Sequence, residues 1–385
     1  MIKFLSNTSR PLLITALALS FLAGWALLHA ESQIEILVLG IVIAVLLGVS
    51  RHLGIARPLG LSAGRYPQLL GMGCIVGVLV LLAVFHEDHF ALLLLATVLI
   101  YSVACLGLNV QFGYAGIVNF AGAAFFGIGS YTAAMLALHS GMPDLLAILI
   151  AGLLAAALGS LLILPVLRTR GHYAALVTIA FGILFRTFME VNDTFGGPQG
   201  VRIPSMTLFG RDLGESMEWG DSEISFYANF VILALILCSL AFWLVRRLER
   251  SWLGVSMDMV RTDEVSASAF GIRIARTKVM AFVFGNFLIG VAGASYGLMT
   301  GYVAPNNFTF GDSLILVSIV ILGGIGNPWG IIPAVAIVMI LPEKLQSIQE
   351  YRFLLYGLLV IAILLFRPQG LLPRQVRKFF PGRES

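Results

Sequence analysis

The sequence predicts an all-α, polytopic membrane protein of about ten to twelve spans, short and broken helices included. Three observations predict it. Hydrophobic residues make up 59% of the 385 positions and charged residues only 11%, where soluble domains carry roughly a quarter; the mean hydropathy is +0.95. Apolar runs recur along the whole chain at about the length a bilayer demands, roughly 20 residues. None of these runs alternates apolar with polar, as tilted barrel strands would. The net charge of +4 is accounted for by basic loops on the cytoplasmic side rather than by a nucleic-acid partner. Cys74, Cys105 and Cys238 all lie inside apolar runs. They show neither metal-ligand spacing nor a disulfide pattern and read as small core residues.

In chain order, Lys3 and Arg10 precede the apolar run Pro11–Ala30. A cleavage after Ala30 would place Leu28 where a small residue belongs, so a retained first span is expected. Ile34–Ser50 is a second span, followed by a basic loop with Arg51, Arg57 and Arg65, and Leu69–Phe85 crosses back. His86-Glu87-Asp88-His89 is read as a solvated turn, because four adjacent ligand types cannot all reach one ion without a special backbone. Phe90–Leu108 is the next span. After it comes a stretch crowded with Gly107, Gly113, Gly116, Gly122, Gly127 and Gly129 and holding Asn109, Gln111 and Asn119. Glycine costs about 1 kcal/mol inside a helix, and irregular backbone at membrane depth needs protein or a water-filled path to satisfy it. A broken helix bordering a substrate path is therefore expected, with Asn109, Gln111, Gly113, Gly116, Asn119 and Gly122 along the route.

Leu145–Leu167 is a regular span with Pro165 near its end, and Tyr173–Glu190 returns, with Arg186 and Glu190 four apart and able to pair. The loop Val191–Ser225 carries a net −4 and opens with FGGPQG, Phe195–Gly200. Leu244–Lys278, between the apolar runs Phe226–Val245 and Val279–Thr300, carries a net +3. The contrast puts the acidic loop outside and the basic one in the cytoplasm. Val255–Phe270 lacks Pro and Gly and predicts a helix, with Val255, Met259, Ala267 and Phe270 at helical spacing and Gly271 as its stop.

Gly293, Gly297 and Gly301 form a small-residue stripe for close packing. The formal G-x-S-x-G at Gly293–Gly297 lies within a membrane helix rather than at a strand-to-helix elbow, so hydrolase chemistry is rejected. Phe308–Leu322 and Trp329–Leu341 are both too short for straight spans and read as a broken pair. A last span, Arg352–Phe366, leads to a tail of net +4, which agrees with a cytoplasmic C-terminus; the N-terminus is expected on the same side. Residues 1–85 thus hold N-terminal spans, 86–373 a core with the outward loop 191–225 and the cytoplasmic loop 246–278, and 374–385 a basic tail.

None of the four lysines follows a glycine, so no P-loop is present and the chain does not cradle ATP in one. The residues offer no nucleophile–base or metal constellation, which argues against a membrane enzyme. A transporter coupled to an ion would need intramembrane ionisable groups. Arg186, Glu190 and Asp312 all lie near span ends.

Five ordered blocks carry a resemblance: GLNVQFGYAGIVNFAGAAFFGIGSY, GHYAALVTIAFGILFR with FGGPQG, DEVSASAFGI, GYVAPNNFTFGDSLILVSIVILGGIGNPWG and YRFLLYGLLVIAILLFRPQGLLP. From about Leu106 to Pro373 the chain resembles the permease subunits of branched-chain amino acid ABC importers, of the M type. The resemblance implies a bacterial inner (plasma) membrane protein that transports leucine, isoleucine or valine, with urea or short amides as the alternative cargo carried by close relatives. It implies a second, non-identical permease, two cytosolic ATPase subunits that hold the ATP and magnesium, and an extracytoplasmic substrate-binding protein. No cofactor is expected on this chain.

The resemblance also implies a cytosolic loop that docks on the ATPase, which in ABC importers carries an E-A-A-x-x-x-G pattern. Here Glu264 and Gly271 are seven apart, one residue longer, and Ser266 stands at the second alanine. Arg261, Asp263, Glu264, Phe270 and Gly271 are the coupling candidates that follow. Glu215, Glu218 and Asp221 of the acidic loop are the candidates for contact with the binding protein.

Overall fold

The computed structural model describes residues 2–30, 66–168, 172–208, 210–219 and 222–344, with isolated positions beyond them, Arg374 among these. Most of the expected spans Ile34–Ser50 and Arg352–Phe366, the loop with Arg51, Arg57 and Arg65, and the tail other than Arg374 lie outside the described residues. Within them the chain is mostly helical. The helices are α1 (Ile2–His29), α2 (Pro67–Val84), α3 (His89–Asn109), α4 (Gly122–His139), α5 (Asp144–Arg168) and α6 (His172–Val191). They continue as α7 (Tyr227–Arg250), α8 (Trp252–Thr262), α9 (Glu264–Ala269), α10 (Ile274–Thr300), α11 (Phe310–Gly323) and α12 (Pro328–Lys344). Among the described residues, seven helical segments are long and apolar enough to cross a membrane. α5 runs on past Pro165 to Arg168. α11 and α12, of 14 and 17 residues, are the short pair that the glycine-rich turn between them predicts.

The chain forms two compact units. The first gathers Met1–Thr97, Leu213–Ser239 and Met339–Arg352. In it α1 lies on α2, with Leu17 and Phe21 filling the space over Gly73 and Gly77. Asp88 starts α3 by accepting from the backbone N–H groups of Phe90 and Ala91 at 2.9 and 3.0 Å, which satisfies two of the orphan donors of a helix start. His89 of the His86–His89 turn is hydrogen-bonded to Ser225 Oγ at 2.6 Å. Lys344 Nζ donates to the carbonyls of Leu28 and Ala30 at 2.7 and 3.2 Å, closing the end of α1.

The second unit gathers Val98–Asp212, Leu240–Val338 and Phe353–Ser385. Its axis is α10, buried along much of its length against α4 and α5. The approach is backbone to backbone. A Cβ on Gly129 would run into the Gly290 carbonyl, one on Gly293 into the Phe126 carbonyl, and one on Gly290 into Ala155. In lipid no hydrophobic force drives helices together, and such close approach is the main source of cohesion. Gly293 and Gly297 lie in this seam as the stripe predicts. Gly301 does not: at φ +66 it is the left-handed cap that ends α10. Ser295 of the G-x-S-x-G match donates to the Val291 carbonyl of its own helix at 2.9 Å.

Candidate functional site

The break after α3 is built from the residues that predicted it. Val110–Tyr114 forms a π-turn, in which Ala115 N–H reaches Val110 O at 3.3 Å. Residues 115–121 are non-helical, and α4 resumes at Gly122. Side chains of other helices capture the backbone this frees: Phe120 N–H donates to Thr178 Oγ1 at 3.1 Å and Ala123 N–H to Ser313 Oγ at 3.0 Å. That is how irregular backbone becomes tolerable at membrane depth.

Asn109, Gln111 and Asn119 are all completely buried. Gln111 Nε2 donates to the Phe282 carbonyl at 3.1 Å and to Asn286 Oδ1 at 2.9 Å. Asn119 Nδ2 donates to Gln111 Oε1 at 2.8 Å, and Asn119 Oδ1 accepts from Ala121 N–H at 2.9 Å. Asn109 Oδ1 accepts from Gly326 N–H at 2.7 Å, tying the π-turn to the connection between α11 and α12. The sequence reading missed Asn286, which completes this network from α10. The signal was there: it is the one amide in an otherwise apolar span. Asn109 Nδ2 and Asn286 Nδ2 lack partners among the described residues. Gly113 packs on Gly326 and Gly122 between Leu108 and Leu316, while Gly116 is exposed beside Arg261.

The polar segment after α7 differs from its expected form. It is two helices, α8 and α9, not one. Asp263 is both the end of α8 and the N-cap of α9, at φ −158 and ψ 112. Its Oδ1 accepts from Val265 and Ser266 N–H at 2.9 and 3.3 Å, and its Oδ2 from Ser266 Oγ at 2.7 Å. A short acid at this position competes with the continuing helix for backbone donors and wins. These bonds, the Ser266 hydroxyl first, hold the Asp263 carboxyl below the usual carboxylate range. Gly271, at φ +80, closes α9. Its N–H reaches Ser268 O at 2.9 Å, and Ile272 N–H reaches Ala267 O at 3.1 Å. This is a Schellman motif, which asks for a glycine where the chain turns left-handed.

α8 turns Met257 and Val260 inward, and α9 buries Ala267. Val265 and Phe270 point away from the chain, each 78% exposed. Arg261, Asp263, Glu264 and Gly271 are exposed beside them, and Lys278 Nζ meets Glu264 Oε1 at 2.6 Å. All five coupling candidates are therefore exposed, as is Val265, which the sequence reading did not single out.

In the acidic segment, two 3-10 turns (Asp193–Phe195, Gly197–Gln199) precede short strands. β1 (Val201–Arg202) pairs antiparallel with β6 (Tyr302–Val303), β2 (Thr207–Leu208) with β3 (Arg211–Asp212), and β4 (Met217–Trp219) with β5 (Ser222–Ile224). Asp144 Oδ2 accepts from Thr207 N–H at 2.7 Å. Glu190 takes Arg186 Nε and Nη2 at 2.8 Å, and Arg186 Nη2 continues to Asn306 Oδ1 at 3.0 Å. Glu215 is exposed. Glu218 falls on β4, opposite Glu223; its side chain, and Asp221 altogether, lie outside the described residues.

Long apolar helices, one of them interrupted by an amide-lined break, define a multi-pass helical membrane protein. Residues 90–364 match the family model described as branched-chain amino acid transport system / permease component, and the chain belongs to that family. It is 35% identical over 291 residues to the high-affinity branched-chain amino acid transport system permease protein LivM of Escherichia coli K12, covering 71% of this chain and 68% of that one. A probable branched-chain amino acid transport permease protein LivM of Methanocaldococcus jannaschii is 26% identical over 326 residues, or 72% and 91% of the two chains. The LivH permease protein of the E. coli system is 26% identical over 289 residues, or 71% and 91%. No solved structure matches the chain.

Proposed function

We propose that this chain is the M-type transmembrane permease of an ATP-driven importer of leucine, isoleucine and valine, docked through α8 and α9 on a separate cytosolic ATPase. The observation that carries the docking is the pair Val265 and Phe270, apolar and exposed on a short helix fixed at both ends. Apolar and aromatic side chains held out on a rigid element are what interface anchors are made of. The likeness to LivM and LivH, two permeases named for one transport system, supports a non-identical permease partner. The net charges of the 191–225 and 246–278 segments support the acidic one facing a substrate-binding protein outside, and the basic one and both termini in the cytoplasm. ATP and magnesium belong to the ATPase.

In this reading the segment from Asn109 to Gly122 borders the route. The amides hold its broken backbone from within, and exposed Gly116 lies at its surface. Cysteines at Gly116 and Asn119 should react with small thiol reagents at different rates in resting and ATP-bound complexes. Equal rates in both states would remove these residues from the route.

The functional test is a strain deleted for its own system and complemented with this chain and its neighbours. Labelled leucine should enter in an ATP- and binding-protein-dependent manner. Uptake of labelled urea in place of leucine would overturn the cargo and keep the permease.

A further inference from the structure

Arg374 lies beyond α12, the last of the described helices, yet its guanidinium is inserted among three other elements of the second unit. Nη1 and Nη2 grip Asp258 of α8 at 2.5 and 2.8 Å. Nη1 also donates to the Gly113 carbonyl in the π-turn at 3.2 Å. The cation stands 4.6 Å from the centroid of the Tyr114 ring. Its aliphatic stem covers Gly326, where a Cβ would come within 2.6 Å of Cδ. Arg374 is only 15% exposed. A second contact runs parallel to the clasp: Arg261, also on α8, packs its backbone and stem over Gly116.

We propose that Arg374 is a positioning residue that links α8 to the π-turn, so that movement of α8 against the ATPase is passed to the backbone at Gly113 and Tyr114. This rests on the docking reading of α8 and α9. The forked pair is directional and short, and a lysine cannot reproduce it. When α8 shifts, Arg374 either follows and pulls on the Gly113 carbonyl or lets go of Asp258. The buried Tyr114 hydroxyl beneath this cation has no partner among the described residues.

The test uses the full importer in proteoliposomes: this chain, its permease partner, the ATPase and the binding protein. R374A, D258A and the double variant should bind the ATPase in wild-type amounts and hydrolyse ATP. Leucine moved per ATP should fall about tenfold in each single variant, within the range of ordinary coupling energies, and no further in the double. Losses that multiply in the double, or an unchanged ratio in R374A, overturn the clasp. If R374A fails to assemble, R374K decides, since it keeps the charge without the fork. A fall of about threefold in its transport ratio supports the link, and a wild-type ratio overturns it. A wild-type complex without ATP-driven uptake overturns the docking reading and the clasp with it; a coupled wild type with coupled variants overturns the clasp alone.

Discussion

Gln111 and Asn286 meet across 175 positions of chain, amide to amide at 2.9 Å, with both side chains completely buried. The contact joins the π-turn to the middle of α10. Gly285 permits it: a Cβ there would stand 2.5 Å from Gln111 Nε2. The helix break is therefore held in place by side chains rather than left as a slack loop.

Replacing Asn286 with leucine should take from Gln111 Nε2 one of its two acceptors, leaving it the Phe282 carbonyl and one buried N–H unpaired. The expected cost is about 1–3 kcal/mol, the penalty for a buried polar group left without its partner. Thermal unfolding of the purified chain in detergent measures it. Ser295→Ala, which removes only a hydroxyl bonded within its own helix, serves as the comparison and should change little.

Phe270→Ser and Val265→Ser should leave insertion and folding of the permease unaltered, since both side chains are 78% exposed. Each should weaken ATPase binding by about tenfold or more if it anchors the interface. Co-purification of the ATPase at graded concentrations reads this directly.

Glu264→Arg should break the 2.6 Å pair with Lys278 and place two cations together. Lys278→Ala separates the two effects. It loses the same pair, worth only about 0–1 kcal/mol at a surface, without reversing a charge on the docking face. Uptake should fall well below that of Lys278→Ala only in Glu264→Arg, with ATP hydrolysis continuing.

Asp263 gives a pH signature. Its carboxyl is held low by Ser266 Oγ and by the backbone N–H groups of Ser266 and Val265. A lowered folded value means that the cap's stabilisation is present above the ordinary carboxylate range. It is lost as pH falls through the folded value. Asp263→Asn keeps a capping side chain that does not titrate. The ratio of wild-type to Asp263→Asn uptake should be flat from pH 8 to about 5 and fall only in more acidic medium, while Asp263→Ala should be impaired throughout.

Neutralising Glu215, Glu218 and Asp221 together should slow uptake at low ionic strength, through slower encounter with the binding protein rather than weaker final binding. At about 0.15 M salt, where the screening length is roughly 8 Å, the defect should largely vanish. Initial uptake rates over a salt series decide it.

The long helices were legible because hydropathy over about 20 residues is a local property. The break at Val110–Ala121 was legible too, since glycines and amides crowd one short stretch. The split between α8 and α9 was not. Met and Ala favour one continuous helix, and only the placement of Asp263 two residues before a donor-rich turn argues otherwise. Gly301 fitted a packing stripe by spacing, but it lies just past Thr300 as the cap of α10, where ending the helix takes precedence. Asp258 and Arg374 are 116 positions apart, and nothing local in either stretch announces the other.

The seam between α4, α5 and α10 divides the chain into two vocabularies. At Gly129, Gly290 and Gly293 even one added methyl group meets main chain or a neighbouring Cβ, so these sites are closed to all nineteen other residues. Leu161 and Leu184, each more than half exposed, are open to any apolar side chain. A saturation library selected for surface expression should therefore read as silence at the first three positions and as free exchange among hydrophobic residues at the other two. The permease can drift widely on its outside while its inner spacing stays fixed by atoms that are not there.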